Sequence, residues 1–238
     1  SSIMRNAVIS DIHANLTALE CVLSHCHNKY GDIHFIHLGD CIDYGMRPNE
    51  VIDKLSSVEN KTLVNIKGNH ERALLGYESN RFSSKRGLDA NNFTKRILNE
   101  SSMNFINHML DKIVEINVDD KRILCVHGDL ADIYWGKMTN EEIIRKEYLK
   151  YDFVLSGHTH VSSLRSIINK ERTHKTLFIN PGSIGQPRNL NSNAQYCVID
   201  TITQSVDFCS LKYDIERESK LYTNEIDSYY RDRLYKGI

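Results

Sequence analysis

The sequence predicts an α/β fold of the α+β kind: a four-layer α/β/β/α sandwich, two mixed β-sheets packed face to face with flanking helices. The first observation behind this is a strand–loop–helix repeat over the first 70 residues, which calls for right-handed crossovers and parallel strands. The second is a set of later hairpin patterns, which are antiparallel and supply the remaining strands. The third is that no linker, repeat or low-complexity stretch interrupts the 238 residues, so the chain reads as one domain, 1–238.

The apolar run 6–10 reads as a strand ending at Asp11. Asn15 then precedes Leu16, Leu19, Leu23 and Cys26, spaced as one helix face with Asn15 as its N-cap. Gly31-Asp32 stops that helix, and 33–38 is the next strand, ending at Gly39-Asp40. Pro48-Asn49 opens a helix with Val51, Ile52 and Leu55 on one side, and 62–66 is a third strand running to Gly68-Asn69-His70. Open parallel sheets build their sites beyond the carboxyl ends of the strands. Three distant segments, at Asp11, Asp40 and Asn69-His70, are therefore expected to converge.

Residues 71–112 read as helical, with Phe105, Ile106, Met109 and Leu110 as the apolar stripe and 78–112 as a wall near the site. Residues 113–118 and 122–126 read as a hairpin around Asp119-Asp120 that leads into His127-Gly128. Residues 139–150 read as a helix, and 153–155 as a strand ending at Gly157-His158-Thr159-His160. Two more hairpins follow, 164–168 with 176–179 and 195–199 with 205–212. The charged, Tyr-rich stretch 213–238 reads as one or two helices laid on the body, through Ile215, Leu221, Ile226, Tyr229, Tyr230 and Leu234.

Composition excludes several function classes. A formal charge of −1 gives no reason to expect a stable nucleic-acid complex or an anionic membrane partner. No apolar run approaches the ~18 residues of a membrane span. The six cysteines, at positions 21, 26, 41, 125, 197 and 209, are scattered without paired spacing. With no secretory pattern at the start, they read as reduced thiols of a cytoplasmic protein. Residues 1–3 read equally as an expression remnant or as native sequence.

Five short motifs stand in order: D-x-H at Asp11 and His13, G-D-x-x-D from Gly39 to Asp43, G-N-H-E from Gly68 to Glu71, V-H-G from Val126 to Gly128, and G-H-T-H from Gly157 to His160. Each alone is common, but all five fall at expected strand ends. They hold five of the eleven histidines. Imidazole with carboxylate suits divalent manganese, iron, zinc, cobalt or nickel, with no thiolate required. With these motifs the sequence resembles the calcineurin-like metallophosphoesterase superfamily, in its small prokaryotic phosphodiesterase and phosphatase type. The resemblance runs from Asp11 to Asn180-Pro181-Gly182-Ser183, a loop that reads either as a tight turn or as part of the site's rim.

The resemblance implies a phosphoric ester hydrolase with two divalent ions, manganese foremost, about 3.5–4 Å apart. Asp11, His13, Asp40 and His160 would take one ion, and Asp40, Asn69, His127 and His158 the other. A metal-bound hydroxide would attack phosphorus. Two ions set against Asp11, Asp40 and that hydroxide leave the centre net positive, as an anionic ester requires. His70 would face the substrate as general acid or phosphoryl contact, with Glu71 and Asp43 orienting it. Asn69, Arg72 and Arg188 are the substrate-binding candidates. His25, His27, His34, His37, His108 and His174 are expected to be non-ligands, and Cys41 is expected to point away from the metals.

The implied partner is a phosphorylated small molecule or nucleotide, with mono- and diesters both open, and so is the oligomeric state. Ser/Thr protein phosphatases of the superfamily carry an arginine where this chain has Tyr44, which disfavours that activity. An asymmetric diadenosine-tetraphosphate hydrolase and a non-catalytic scaffold on the same fold are the remaining alternatives. Tyr77 or Phe82 could stack on a base, although core packing explains them equally well.

Overall fold

The computed structural model describes residues 4–238, so the reading of residues 1–3 falls outside the described part. Two five-stranded mixed sheets form the centre. In the first, β1 (Arg5–Ile9), β2 (His34–His37) and β3 (Thr62–Asn65) run parallel. The expected strand–helix repeat makes them so, with α1 (Leu16–Tyr30) and α2 (Pro48–Ser57) as crossovers. Asn15 caps α1, its side chain accepting from the Ala18 amide at 3.1 Å.

After β3 the chain forms α3 (Asn69–Leu74), α4 (Lys85–Ile97) and α5 (Glu100–His108). The hairpin of β4 (Val114–Val118) and β5 (Lys121–Cys125) follows, then the single turn α6 (Asn140–Ile143) and β6 (Phe153–Leu155). β7 (Ser163–Ile168) pairs antiparallel with β8 (Lys175–Asn180), and β9 (Ala194–Asp200) with β10 (Ser205–Leu211), as their hairpin patterns predict. The sheet orders are β10-β9-β1-β2-β3 and β4-β5-β6-β8-β7. Parallel and antiparallel pairing is distributed over both sheets. β9 closes antiparallel on β1, whereas β5, β6 and β8 run parallel to one another.

Strand alternation separates the layers. Val8, Ile36, Leu38, Ile123, Cys125, Phe153 and Leu155 fill the space between the sheets. Ala7, Ile9 and Phe35 point the other way, into α1 and α2. Leu124, Val154 and Phe178 face Ile143 and Tyr148 on the far side. No helix among the described residues is long and apolar enough to cross a membrane.

Two helical expectations need correction. Residues 71–112 are not continuous, because Gly76 (φ 96°) and Glu78 (φ 61°) leave the right-handed region after α3. Ser84 and Asn99 then cap α4 and α5 separately. Leu110 lies outside the stripe: it bridges to Ile66 beside β3 and stays 39% exposed. The helix expected over 139–150 stops at Ile143, since Arg145 is extended (φ −62°, ψ 136°). That turn brings Tyr148 inward, where its hydroxyl donates to Glu142 and accepts the Leu130 amide.

The tail forms α7 (Ile215–Ser219) and α8 (Ser228–Lys236), packed on the chain's own body. Buried Glu218 accepts from the Thr17 amide and hydroxyl and from Arg47 at 2.7 Å. Tyr230 stacks on Tyr44 with ring centroids 4.3 Å apart.

Candidate metal centre

The carboxyl ends of β1, β2, β3, β5 and β6 deliver the five motifs to one place. Their loops pay for this in backbone strain: Asp11, His13, Ala14, Asp40, Asp43, Tyr44, His158 and His160 all have φ between 46° and 72°. Non-glycine residues persist there only when their surroundings over-determine them, and such strain gathers at functional sites. Gly39 lets the Asp40 and Asn69 loops touch, since a Cβ on it would sit 2.5 Å from the Gly68 amide nitrogen.

The ligand-type atoms converge in three overlapping groups: Asp11, His13 and His160; His13, Asp40 and His70; Asp40, His127 and His158. His13, His127 and His160 direct Nδ1 at the carbonyls of Ile42, Leu38 and Gln186, at 2.7, 2.6 and 2.6 Å. That contact fixes the tautomer and turns the Nε2 lone pairs inward. Nε2 of His13 and of His160 then lie 3.2 Å apart. Oδ1 of Asp11 stands 3.3 Å from His160 Nε2 and 3.7 Å from His13 Nε2, and it is buried with no hydrogen-bond partner. Nearby, His127 Nε2 faces Asp40 Oδ2 and Asn69 Oδ1, each at 3.0 Å. Asn69 Oδ1 also lies 3.2 Å from His158 Nδ1. Acceptors facing acceptors in a buried space are the donor set of a cation site, so these residues fit divalent metal.

The electrostatics agree. Burial works against the ionised forms of Asp11 and Asp40, yet the His160 ring and the His127 ring, respectively, hold each well below the usual carboxylate range. Burial also opposes charge on His127, but adjacent Asp40 pushes it up to about 10, so Nε2 holds a proton that a bound cation would displace, and the pocket favours positive charge. Burial, aided by His127 and Arg188 respectively, brings His158 down to about 4 and His160 to about 3, which leaves both neutral and able to ligate.

Asp43, fully buried, accepts from His70 Nδ1 at 2.6 Å, Asn91 at 2.8 Å and Thr94 at 2.6 Å. Asn91 and Thr94 sit on the buried face of α4 beside Ala90 and Phe93, and the sequence reading missed both. A polar pair on an apolar helix stripe was the available signal. Burial lowers the proton affinity of His70, but Asp40 and Asp43 overcome it and raise the ring above its ordinary range. Glu71 accepts the amides of Asp40, Cys41 and Gly68 at 2.7–2.9 Å, tying two ligand loops together rather than touching His70. The Asn180–Ser183 loop is more than a turn. Asn180 donates to the Gly157 carbonyl at 3.0 Å and Ser183 to the Asp11 carbonyl at 2.6 Å.

A cleft of about 470 Å³ opens over the cluster, lined in part by Asp40, Tyr44, Asn69, His70, His158 and His160. Arg188 lines it too, its guanidinium donating to Gln186 Oε1 at 2.9 Å. Its guanidinium lies 5.9 Å from the Tyr44 ring, so a cation from another loop stands near the position where an arginine was missed. Arg72 is not brought to the cleft: Asp111 and Glu78 hold it, and it packs on Tyr77 and Tyr134. Tyr77 is 52% exposed and lines no part of the cleft, whereas Phe82, Trp135, Arg81 and Lys137 do. Of these only Phe82 was singled out from sequence. Cys41 is buried in the core, and His25, His27, His34, His37, His108 and His174 join no metal-capable group among the described residues.

Known proteins resemble this chain in sequence and fold. The model of the calcineurin-like phosphoesterase superfamily domain matches residues 4–204. An uncharacterized protein of Methanocaldococcus jannaschii is 29% identical over 241 residues, with 97% of each chain covered. The crystal structure of a metallophosphoesterase from Sphaerobacter thermophilus superposes with a TM-score of 0.78 at 26% identity, covering 99% of both chains. A hypothetical protein from Pyrococcus horikoshii shares the fold, with a TM-score of 0.81 at 18% identity over 98% of each chain. Sequence and fold together place the chain in the calcineurin-like phosphoesterase superfamily.

Proposed function

We propose that this chain is a dinuclear-metal phosphoesterase that hydrolyses phosphate mono- or diesters. One observation supports it above others: two imidazole Nε2 atoms face each other at 3.2 Å beside a carboxylate oxygen of Asp11 that has no hydrogen-bond partner among the described residues, an arrangement that a cation would satisfy. Asp11, His13, Asp40 and His160 would hold one divalent ion; Asp40, Asn69, His127 and His158 would hold a second. Ions bound there supply the Lewis acidity that activates water and offsets charge on the phosphoryl oxygens. Manganese, iron, zinc, cobalt and nickel all suit this ligand set.

His70 acts on the substrate rather than on metal. Asp43 holds its Nδ1–H, which leaves Nε2 to carry a proton over the cleft and deliver it to the leaving oxygen. Asp43, Asn91 and Thr94 position that ring, and Glu71 positions the loops that carry Asp40 and Asn69. Arg188 and Lys137, lining the cleft, bind the anionic ester.

The direct test is hydrolysis of p-nitrophenyl phosphate, bis-p-nitrophenyl phosphate and diadenosine tetraphosphate with Mn²⁺ and then with EDTA. The expected result is turnover that appears with metal and is lost to the chelator. Metal-loaded protein that turns over none of the three would instead mark a binding scaffold on this fold.

A further inference from the structure

Phe82 and Trp135 have no place in the core. Neither belongs to any buried apolar cluster, and both rings are half-buried on the cleft wall. Phe82 lies 5.0 Å from the His70 ring, and Trp135 lies 6.0 Å from the His158 ring. The two meet edge to face, with centroids 5.6 Å apart at 74°. Two angled aromatic surfaces therefore stand directly beside the metal-centre histidines. The Arg81 guanidinium, also on the cleft wall, lies 5.0 Å from the Trp135 ring centroid and is itself held by Asp132 at 2.6 Å. Lys137, two residues along, lines the same cleft and makes no ion pair among the described residues.

We propose that Phe82 and Trp135 form a stacking shelf for a nucleobase, so that the preferred substrates are nucleoside phosphoesters rather than phosphoproteins or aliphatic phosphates. This rests on the phosphoesterase reading above and names its substrate class. Every base offers a π-face to such a shelf, and stacking on aromatic side chains tolerates any base. A cleft of about 470 Å³ falls within the size range of small-ligand sites. The shelf supplies the apolar half of recognition, and Lys137 with Arg188 supplies cations for the phosphate, which matches the two chemical halves of a nucleotide.

Trp135 is the only tryptophan in the sequence, so its fluorescence reports the shelf without any need for turnover. Mn²⁺-loaded protein would be mixed with adenosine 5′-monophosphate or with ribose 5-phosphate, and indole emission read in the first second. The expected result is saturable quenching by the nucleotide and none by the sugar phosphate. Phe82→Ala should weaken nucleotide binding about ten-fold. Phe82→Leu, which keeps the apolar volume, should do the same and replaces it if the alanine variant fails to fold. Equal response to both ligands, no quenching by the nucleotide, or Phe82 variants with unchanged affinity would overturn the shelf. Turnover of bis-p-nitrophenyl phosphate, measured alongside, reports the hydrolytic reading separately. Turnover without nucleotide-specific quenching sinks the shelf alone; quenching without turnover of this ester, p-nitrophenyl phosphate or diadenosine tetraphosphate upholds the shelf and sinks the hydrolase.

Discussion

Asp40→Asn is expected to remove metal from both positions and to cut phosphoester turnover by well over a hundred-fold. Among the described residues, Asp40 is the one carboxylate that falls in metal-capable groups with members of both proposed ligand sets. Its Oδ2 lies 3.0 Å from His127 Nε2 and 3.9 Å from His13 Nε2. Loss of a group that merely orients a metal ligand costs about 10–100-fold in affinity or activity, and a shared ligand must cost more. Asparagine preserves the rest of the residue's work. Its oxygen can still accept the His70 amide, which Asp40 Oδ1 accepts at 2.9 Å. The left-handed backbone at φ 63° also tolerates asparagine well. The fold should therefore survive, as a melting curve measured without metal would show. Elemental analysis and bis-p-nitrophenyl phosphate turnover then read the loss. A variant that keeps its metal and its activity would refute the shared-ligand assignment.

His70→Ala is expected to keep both metals and lose turnover by about 10²–10⁴-fold, the range of general acid catalysis. The loss should be greatest for esters whose leaving group most needs a proton, so an alkyl ester should suffer more than a p-nitrophenyl ester. Asp43 would lose one donor but retain Asn91 and Thr94, which limits the structural damage. The geometry makes the test sharp, because His70 also lies within ligand reach of His13 and Asp40. If the variant lost metal instead, His70 would be a ligand and the acid assignment would fall.

Much of the candidate centre was legible in the sequence because its proposed ligands sit at strand ends, and strand ends are marked locally. The apolar runs stop at Asp11, at Gly39, just before Gly68, at His127 and just before Gly157, and the crossover rule says where those ends must meet. The hairpins were legible because short polar segments, Asn169 to Glu171 and Asp200-Thr201, separate the paired runs of β7–β8 and β9–β10. Illegible were features decided by contacts far apart in the chain. Asn91 and Thr94 serve a carboxylate 48 and 51 residues away, and nothing local names that partner. Arg72 follows the G-N-H-E motif directly, but a helix of six residues turns its side chain toward Asp111 instead. Trp135 and Lys137 come from a loop with no regular periodicity, and the fold alone carries them to the cleft. The helix expected over 139–150 failed because an inward Tyr148, hydrogen-bonded to Glu142, outweighed helical propensity in one exposed turn.

Two lone-pair clusters sharing Asp40 should each take a divalent ion. The most direct measurement is the stoichiometry of Mn²⁺ retained by metal-stripped protein after reloading and dialysis, counted per chain and set against phosphoester turnover at each loading. Two ions per chain, with activity that needs the second, is the predicted result. One ion per chain with full activity, or none retained, would contradict a dinuclear centre.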